Sequence, residues 1–217
     1  LSASKKPDSS PIVTPVSSLV EPRPTRRRIL TAASALPVVA GLGSLSAHAQ
    51  EQPERGIVGS AAPELDCEFW LDANGEPTEK FSMQAQRGKW VYMKLWQSWC
   101  PGCHSLGFPA LKKVTDAFAD DDRVQTLAIQ TVFEGHSTNT GDKVREMQLR
   151  YEIPIPMGHD PGSKTESGYP NTMLSYRTGG TPWQVLIAPD GSVVFDGFRV
   201  NVDRVIEVLK EEVVKLG

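Results

Sequence analysis

The feature that most narrows the fold is an apolar and aromatic run, Trp90-Val91-Tyr92-Met93-Lys94-Leu95-Trp96, followed shortly by Cys100-Pro101-Gly102-Cys103. Set off by Gly88 on one side and by the Ser98 to Gly102 segment on the other, the run has the length and residue types of a core strand. After it, Leu106, Ala110, Leu111, Val114, Ala117 and Phe118 recur at helical spacing, which predicts a helix from Pro101 to about Asp120. Pro101 suits the first turn, where no intrahelical partner awaits its missing N–H, whereas Pro109 lies inside the helix and should kink it. The cysteine pair is therefore expected between a strand end and a helix start.

That position has a chemical consequence. The thiolate is the reactive form of cysteine, and it is favoured where the sulfur meets the unpaired N–H groups and positive dipole end of a helix. Cys100 fits this description. Cys103 is on the same side of the first turn, close enough to attack a mixed disulfide formed on Cys100. The expected chemistry is dithiol exchange with protein thiols or disulfides, Cys100 acting as nucleophile and Cys103 as resolving thiol. Such exchange needs no bound cofactor. The two intervening residues do not set its direction, because similar C-x-x-C pairs span about −270 to −120 mV.

The remaining chain supplies the frame. Leu65 to Leu71 reads as a short strand closed by the Asp72-Ala73-Asn74-Gly75 turn, Val124 to Gln130 as a second core strand, and Asp142 to Tyr151 as a helix. Ile155 to Met157 is a candidate short strand, and Gly158 to Gly180 a loop-rich stretch with room for a helical turn. Trp183 to Ala188, the turn Pro189-Asp190-Gly191 and Ser192 to Phe198 form a hairpin pattern. Asn201 to Leu216 closes the chain as an amphipathic helix with Val202, Val205, Ile206, Leu209 and Val213 on one face. This order predicts one α/β domain over residues 61–217: a mixed central sheet, helices on both faces and an antiparallel C-terminal hairpin.

The first 49 residues differ from the rest. Leu1 to Pro24 is rich in Ser, Pro and Lys and reads as a disordered lead. Thr25-Arg26-Arg27-Arg28-Ile29-Leu30, the mildly apolar run to Ala47 and the small-residue site Ala47-His48-Ala49 together read as a secretory signal of twin-arginine type, cleaved near Ala49. Gly, Ser and Pro interrupt the apolar run, so no stable membrane anchor is expected after cleavage. Residues 50–60 then read as an unstructured lead-in. Cleavage would remove six of the 23 Lys and Arg and two of the 26 Asp and Glu, leaving 17 against 24, an acidic balance that disfavours a nucleic-acid partner. The expected location is the periplasm or another extracytoplasmic compartment, where disulfides persist.

Trp96-Gln97-Ser98-Trp99-Cys100-Pro101-Gly102-Cys103, the helix with Pro109, and Gly179-Gly180-Thr181-Pro182-Trp183-Gln184-Val185-Leu186-Ile187-Ala188-Pro189-Asp190-Gly191 resemble the TlpA/ResA-like branch of the thioredoxin superfamily. The resemblance covers roughly residues 58 to 217 and implies a thioredoxin-like fold, thiol-disulfide oxidoreductase activity and an upstream redox partner. It also implies a cis proline facing the cysteine pair and a preceding residue that hydrogen-bonds the substrate chain, roles that fall on Pro182 and Thr181. Trp99, Pro101 and Gly102 would complete the docking edge. The sequence departs from the family at the proton acceptor. Lys94 stands where a buried acid is usual, and Leu106 where the exported branch often has Glu. Glu134 and His104 are alternative candidates for proton transfer. Lys94 reads most simply as a chain-end or snorkelling side chain, although a nearby ammonium would lower a thiol pKa.

Other chemistries fit parts of the same pattern. Cys100-Pro101-Gly102-Cys103-His104 matches the C-x-x-C-H haem attachment pattern, with His104 as axial ligand, but the aromatic strand and the later Thr-Pro strand are foreign to small helical haem domains. A metal or copper site would need further ligands, and His136 and His159, read as solvated loop histidines, are the other histidines after the signal. A peroxiredoxin would normally carry Thr or Ser three residues before its reactive cysteine, where Gln97 stands. Cys67 reads as a small buried hydrophobe. Trp90, Trp96 and Trp183 read as core, and Trp99 as an exposed shaper of the site.

Overall fold

A computed structural model describes residues 55–163 and 165–216. The expected lead and signal over 1–49 lie outside the described residues.

The apolar and aromatic run before the cysteines is the central strand of the sheet. β3, Trp90–Trp96, is buried at every position because it is flanked by strands on both edges and covered on both faces. It pairs in parallel with β4, Val124–Thr131, and antiparallel with β6, Trp183–Ile187. Including β1 (Phe69–Leu71), β2 (Pro77–Thr78), β5 (Met157–Asp160) and β7 (Val193–Gly197), the seven-stranded sheet has the order β2-β1-β5-β4-β3-β6-β7. β3, β4 and β5 form the parallel centre, and antiparallel pairs finish both sides. This is a thioredoxin-like α/β fold with a mixed sheet.

Helices α1 (Phe108–Ala117), α2 (Asp142–Tyr151) and α4 (Val202–Val214) contribute apolar faces to one core cluster with Tyr92, Trp96 and Ala128. On the opposite face, Met173 and Tyr176 at α3 (Asn171–Ser175) join Leu65, Trp70, Val91, Met93, Leu127 and Ile129. Alternation along β3 sends Tyr92, Lys94 and Trp96 toward α1 and Val91, Met93 and Leu95 away from it, the period-two consequence of strand geometry.

Several expectations change in physical detail. The first strand shrinks to Phe69–Leu71, and the Asp72 turn leads into the short strand β2, which the sequence reading did not foresee. The fifth strand is Met157–Asp160 rather than Ile155–Met157, because pairing with β4 and β1 carries it past the prolines. His159 is consequently buried rather than solvated: its Nδ1 lies 2.8 Å from Gln130 Oε1, and its ring packs against Phe69. Residues 55–60, expected as part of an unstructured lead-in, are tied to the domain by Gly56 N–H to the Arg177 carbonyl, Ile57 N–H to Asp196, and Val193 N–H to the Ser60 carbonyl. The helix after the cysteines does not run as uninterrupted α-helix. Cys103–Gly107 forms a π turn in which Phe108 N–H reaches the Cys103 carbonyl, and Pro109, which offers no N–H, follows it in the first turn of α1. The anticipated kink thus takes the form of a widened turn directly at the pair.

Candidate redox site

The loop between β3 and α1 is clamped before it reaches the cysteines. Asn139 Oδ1 accepts from Ser98 N–H at 2.7 Å and from Ser98 Oγ at 2.9 Å, while its Nδ2 donates to the carbonyls of Glu134 and Gly135. Gln97 is buried and donates from Nε2 to the Thr131 carbonyl at 2.9 Å. These bonds join the C-terminal ends of β3 and β4. Cys100 is thereby held at the start of the helix, with its backbone carbonyl accepting from Cys103 N–H at 3.0 Å and His104 N–H at 3.3 Å.

The two sulfurs occupy unlike environments. Cys103 is fully buried, whereas Cys100 keeps 6% of its surface accessible. The Cys100 Sγ accepts Cys103 N–H at 3.2 Å. Its thiol is pulled down to about 5, first by hydrogen bonding with the Cys103 side chain and further by the Thr181 side chain, the Cys103 N–H and the charge of Lys94, against the opposing effect of burial. Burial, followed by its hydrogen bond with Cys100, pushes the Cys103 thiol up. When protonated, Cys100 Sγ also contacts the Thr181 carbonyl at 3.6 Å. That contact is lost to a thiolate, which cannot donate.

Pro182 closes the other side. The Thr181–Pro182 bond is cis, and a Cβ at Gly102 would stand 3.1 Å from Pro182 Cδ, so the cysteine loop and the proline are in near contact across a residue that needs to be small. Trp99 is 45% exposed beside them, its Nε1 facing Gly135, and Pro101 is also exposed. Residues far apart in sequence, Trp99 to Cys103 and Thr181-Pro182, therefore meet at one end of the sheet.

The three candidates for proton transfer separate. Glu134 is exposed on the loop after β4, and the charges acting on the two thiols do not include it. His104 places Nε2 2.5 Å from the Ser98 carbonyl and Nδ1 2.6 Å from Tyr151 Oη. A carbonyl only accepts, so Nε2 carries the proton and Nδ1 accepts from the tyrosine hydroxyl. With both nitrogens engaged and the ring packed against Phe108 and Tyr151, this histidine braces the loop. The same engagement, with Cys103 in the core, leaves the haem-attachment pattern without its axial ligand.

Lys94 overturns the snorkelling expectation. It is completely buried, its Nζ lies 4.8 Å from the centroid of the Phe108 ring, and desolvation lowers its ammonium to about 8, with the two cysteines pulling the other way. Snorkelling fails because β3 is the centre of the sheet and α1 covers this face, which leaves no path to water. Gly107 makes room for the amine. A glycine inside a helical pattern can mark such a close approach, and this was the signal available in the sequence. Asn139 had no such signal, since its role depends on two loops meeting.

Among the described residues, no group of three or more His, Cys, Asp or Glu side chains is arranged to hold a metal ion, and no helix is long and apolar enough to cross a membrane.

Comparison with known proteins places this arrangement. A thioredoxin-like superfamily protein, SPOA0173, is 31% identical, covering 72% of this chain and 95% of that structure with a TM-score of 0.60. A thiol-disulfide isomerase from Corynebacterium glutamicum is 29% identical, covering 70% and 96% with a TM-score of 0.59. The thioredoxin domain of a thiol-disulfide oxidoreductase from Bacteroides vulgatus shares the fold at 20% identity and a TM-score of 0.52, over 72% of this chain and 97% of that one. No curated protein matches the chain. The AhpC/TSA family model matches residues 58–195, which span the cysteine pair, the cis proline and the central sheet. The chain belongs to the AhpC/TSA family, with a thioredoxin-like fold.

Proposed function

We propose that the protein is an extracytoplasmic thiol-disulfide oxidoreductase that exchanges disulfides with partner proteins through Cys100 and Cys103. The observation that carries this reading is the Cys100 sulfur itself: partly accessible at a helix start, accepting the Cys103 N–H at 3.2 Å, and acidic enough to be a thiolate at neutral pH. The likeness to the Corynebacterium glutamicum thiol-disulfide isomerase supports the same activity. Export is supported by Arg26-Arg27 before the apolar run and by Ala47-His48-Ala49.

In the reducing direction, the Cys100 thiolate attacks one sulfur of a substrate disulfide. The substrate S–S bond breaks and its other sulfur leaves as a thiolate. Cys103 then loses its proton and attacks Cys100 Sγ, so the mixed disulfide breaks and the substrate's second thiolate departs. The pair has lost two electrons and the substrate has gained them. The oxidising direction runs the same steps backward. The burial of Cys103 suits it to the second role, since its sulfur reaches Cys100 while external disulfides cannot reach it. Thr181, Pro182, Trp99, Pro101 and Gly102 form the edge on which a substrate chain would dock. A peroxidase reading is less well supported, because Gln97 occupies the upstream position and donates to the Thr131 carbonyl rather than toward Cys100.

Cys100→Ala should reduce exchange with a disulfide-bonded protein to the uncatalysed background, and Cys103→Ser should accumulate mixed disulfides on Cys100, detected by mass. Undiminished exchange by Cys100→Ala would sink this reading.

A further inference from the structure

The exchange steps above make no use of Lys94. Its Nζ is shut off from solvent and has no hydrogen-bond partner. The charges that act on it are those of Cys103 and Cys100. The niche is shaped for this amine: a Cβ on Gly107 would stand 1.8 Å from Nζ, so any other residue there would displace it. Gly107 ends the π turn that Cys103 begins, and the face of Phe108 attracts the cation from the adjoining position. The widened turn, the glycine and the ring together hold a positive charge beside the sulfurs.

A buried ammonium is stabilised by a negative charge formed near it and is costly without one. The dithiol form supplies that charge as the Cys100 thiolate. The disulfide form does not, because both sulfurs are then neutral. Resting on the reading of the pair as an exchange site, we infer that Lys94 biases the couple toward its reduced form, so that the disulfide form is an oxidant whose substrates are reduced protein dithiols.

In this direction a substrate thiolate attacks Cys100 Sγ, the Cys100–Cys103 bond breaks, and Cys103 leaves with the electron pair opposite the ammonium. Cys103 then takes up a proton, as its burial favours. The substrate's second thiolate attacks its own sulfur in the mixed disulfide, and Cys100 departs as a thiolate. The substrate loses two electrons and two thiol protons, one retained on Cys103 and one passed to solvent. A second turnover requires an upstream partner bearing a disulfide of its own.

The test compares the full chain with Lys94→Met, which keeps an unbranched side chain one atom shorter and removes its charge. Both proteins are equilibrated with mixtures of glutathione and glutathione disulfide, and the thiol fraction is read by alkylation. The disulfide of Lys94→Met should form with an equilibrium constant about tenfold or more above that of the wild type, equivalent to about 30 mV for a two-electron couple. Thiolate absorbance should also show Cys100 titrating at higher pH in the variant. Should Lys94→Met fail to fold, denaturant midpoints of the wild type carry the test, the dithiol form unfolding at higher denaturant than the disulfide form. A disulfide form as stable as the dithiol, or equal equilibrium constants in the two proteins, would overturn the inference while leaving the exchange site standing. Absence of exchange with glutathione in both proteins would instead overturn the reading beneath it.

Discussion

Asp160, at the end of β5, and Lys94, in the middle of β3, are both charged side chains cut off from water, 2% and 0% exposed, yet the fold treats them in opposite ways. The Asp160 carboxylate accepts N–H groups from Gly162, Asn171 and Thr172, so it fastens the loop after β5 to the first turn of α3. Lys94 has no such partners and is left facing the cysteines. A buried charge whose bonds are all made holds a structure in place. One left without them stores an interaction that a nearby reaction can use, because the stability of the site then changes with the charge of the reacting group.

This contrast can be broken by experiment. The largest effect is expected from Asp160→Ala, which strands three backbone N–H groups, one in the loop after β5 and two at the start of α3. At about 1–3 kcal/mol for each unsatisfied donor, partly relieved by local relaxation, unfolding free energy should fall by about 3–5 kcal/mol, while the glutathione equilibrium of the pair stays within a factor of two. A large change in that equilibrium would show that the Asp160 anchor and the cysteine pair are coupled and would undo the comparison.

The pH dependence of stability tests the other member of the pair, Lys94. Burial lowers the Lys94 ammonium from 10.5 to about 8, so between those values the unfolded chain holds a proton that the folded chain has released. Stability therefore rises with pH across this window, and the penalty for burying the charge is fully present below it. In the disulfide form no thiol titrates and the sulfur charges that raise the lysine are gone, so the rise should begin at or below pH 8. Wild type should gain on the order of 3 kcal/mol relative to Lys94→Met by pH 10.5, measured by denaturant unfolding of the oxidised proteins. Parallel pH profiles for the two would mean that the amine is not buried as a charge.

The smallest effect is expected at the surface pair Lys113–Asp203, which joins α1 to α4 at 3.3 Å with both side chains well exposed. Lys113→Ala should cost less than about 0.5 kcal/mol, and added salt should erase the difference. A larger loss would show that the surface of this face also contributes to holding the site.

Much of the frame was legible in the chain because its signals are local. β3 was readable as an apolar run with turn residues at its ends, the β6–β7 hairpin from Pro189-Asp190-Gly191, and α4 from the spacing of Val205, Leu209 and Val213. The meeting of Cys100 and Cys103 with Thr181-Pro182 followed from family resemblance rather than from periodicity, since nothing local relates residues about eighty positions apart. Other parts had no local mark. The exact span of β5 depends on pairing with β1 and β4, and Asn139 matters because the loop after β4 folds back onto Ser98. His159 looked like a loop residue until the sheet enclosed it.

The sequence by itself determined the order of elements, the placement of two cysteines at a strand-to-helix junction, and a lysine two residues before the end of a strand where an acid would be familiar. The tertiary structure decided what that lysine does. Whether an ammonium snorkels to water or remains beside a sulfur depends on which helix covers the strand and on the space left by Gly107. Strand and helix periodicities are written in neighbouring residues. Burial and electric field arise only when distant segments pack together.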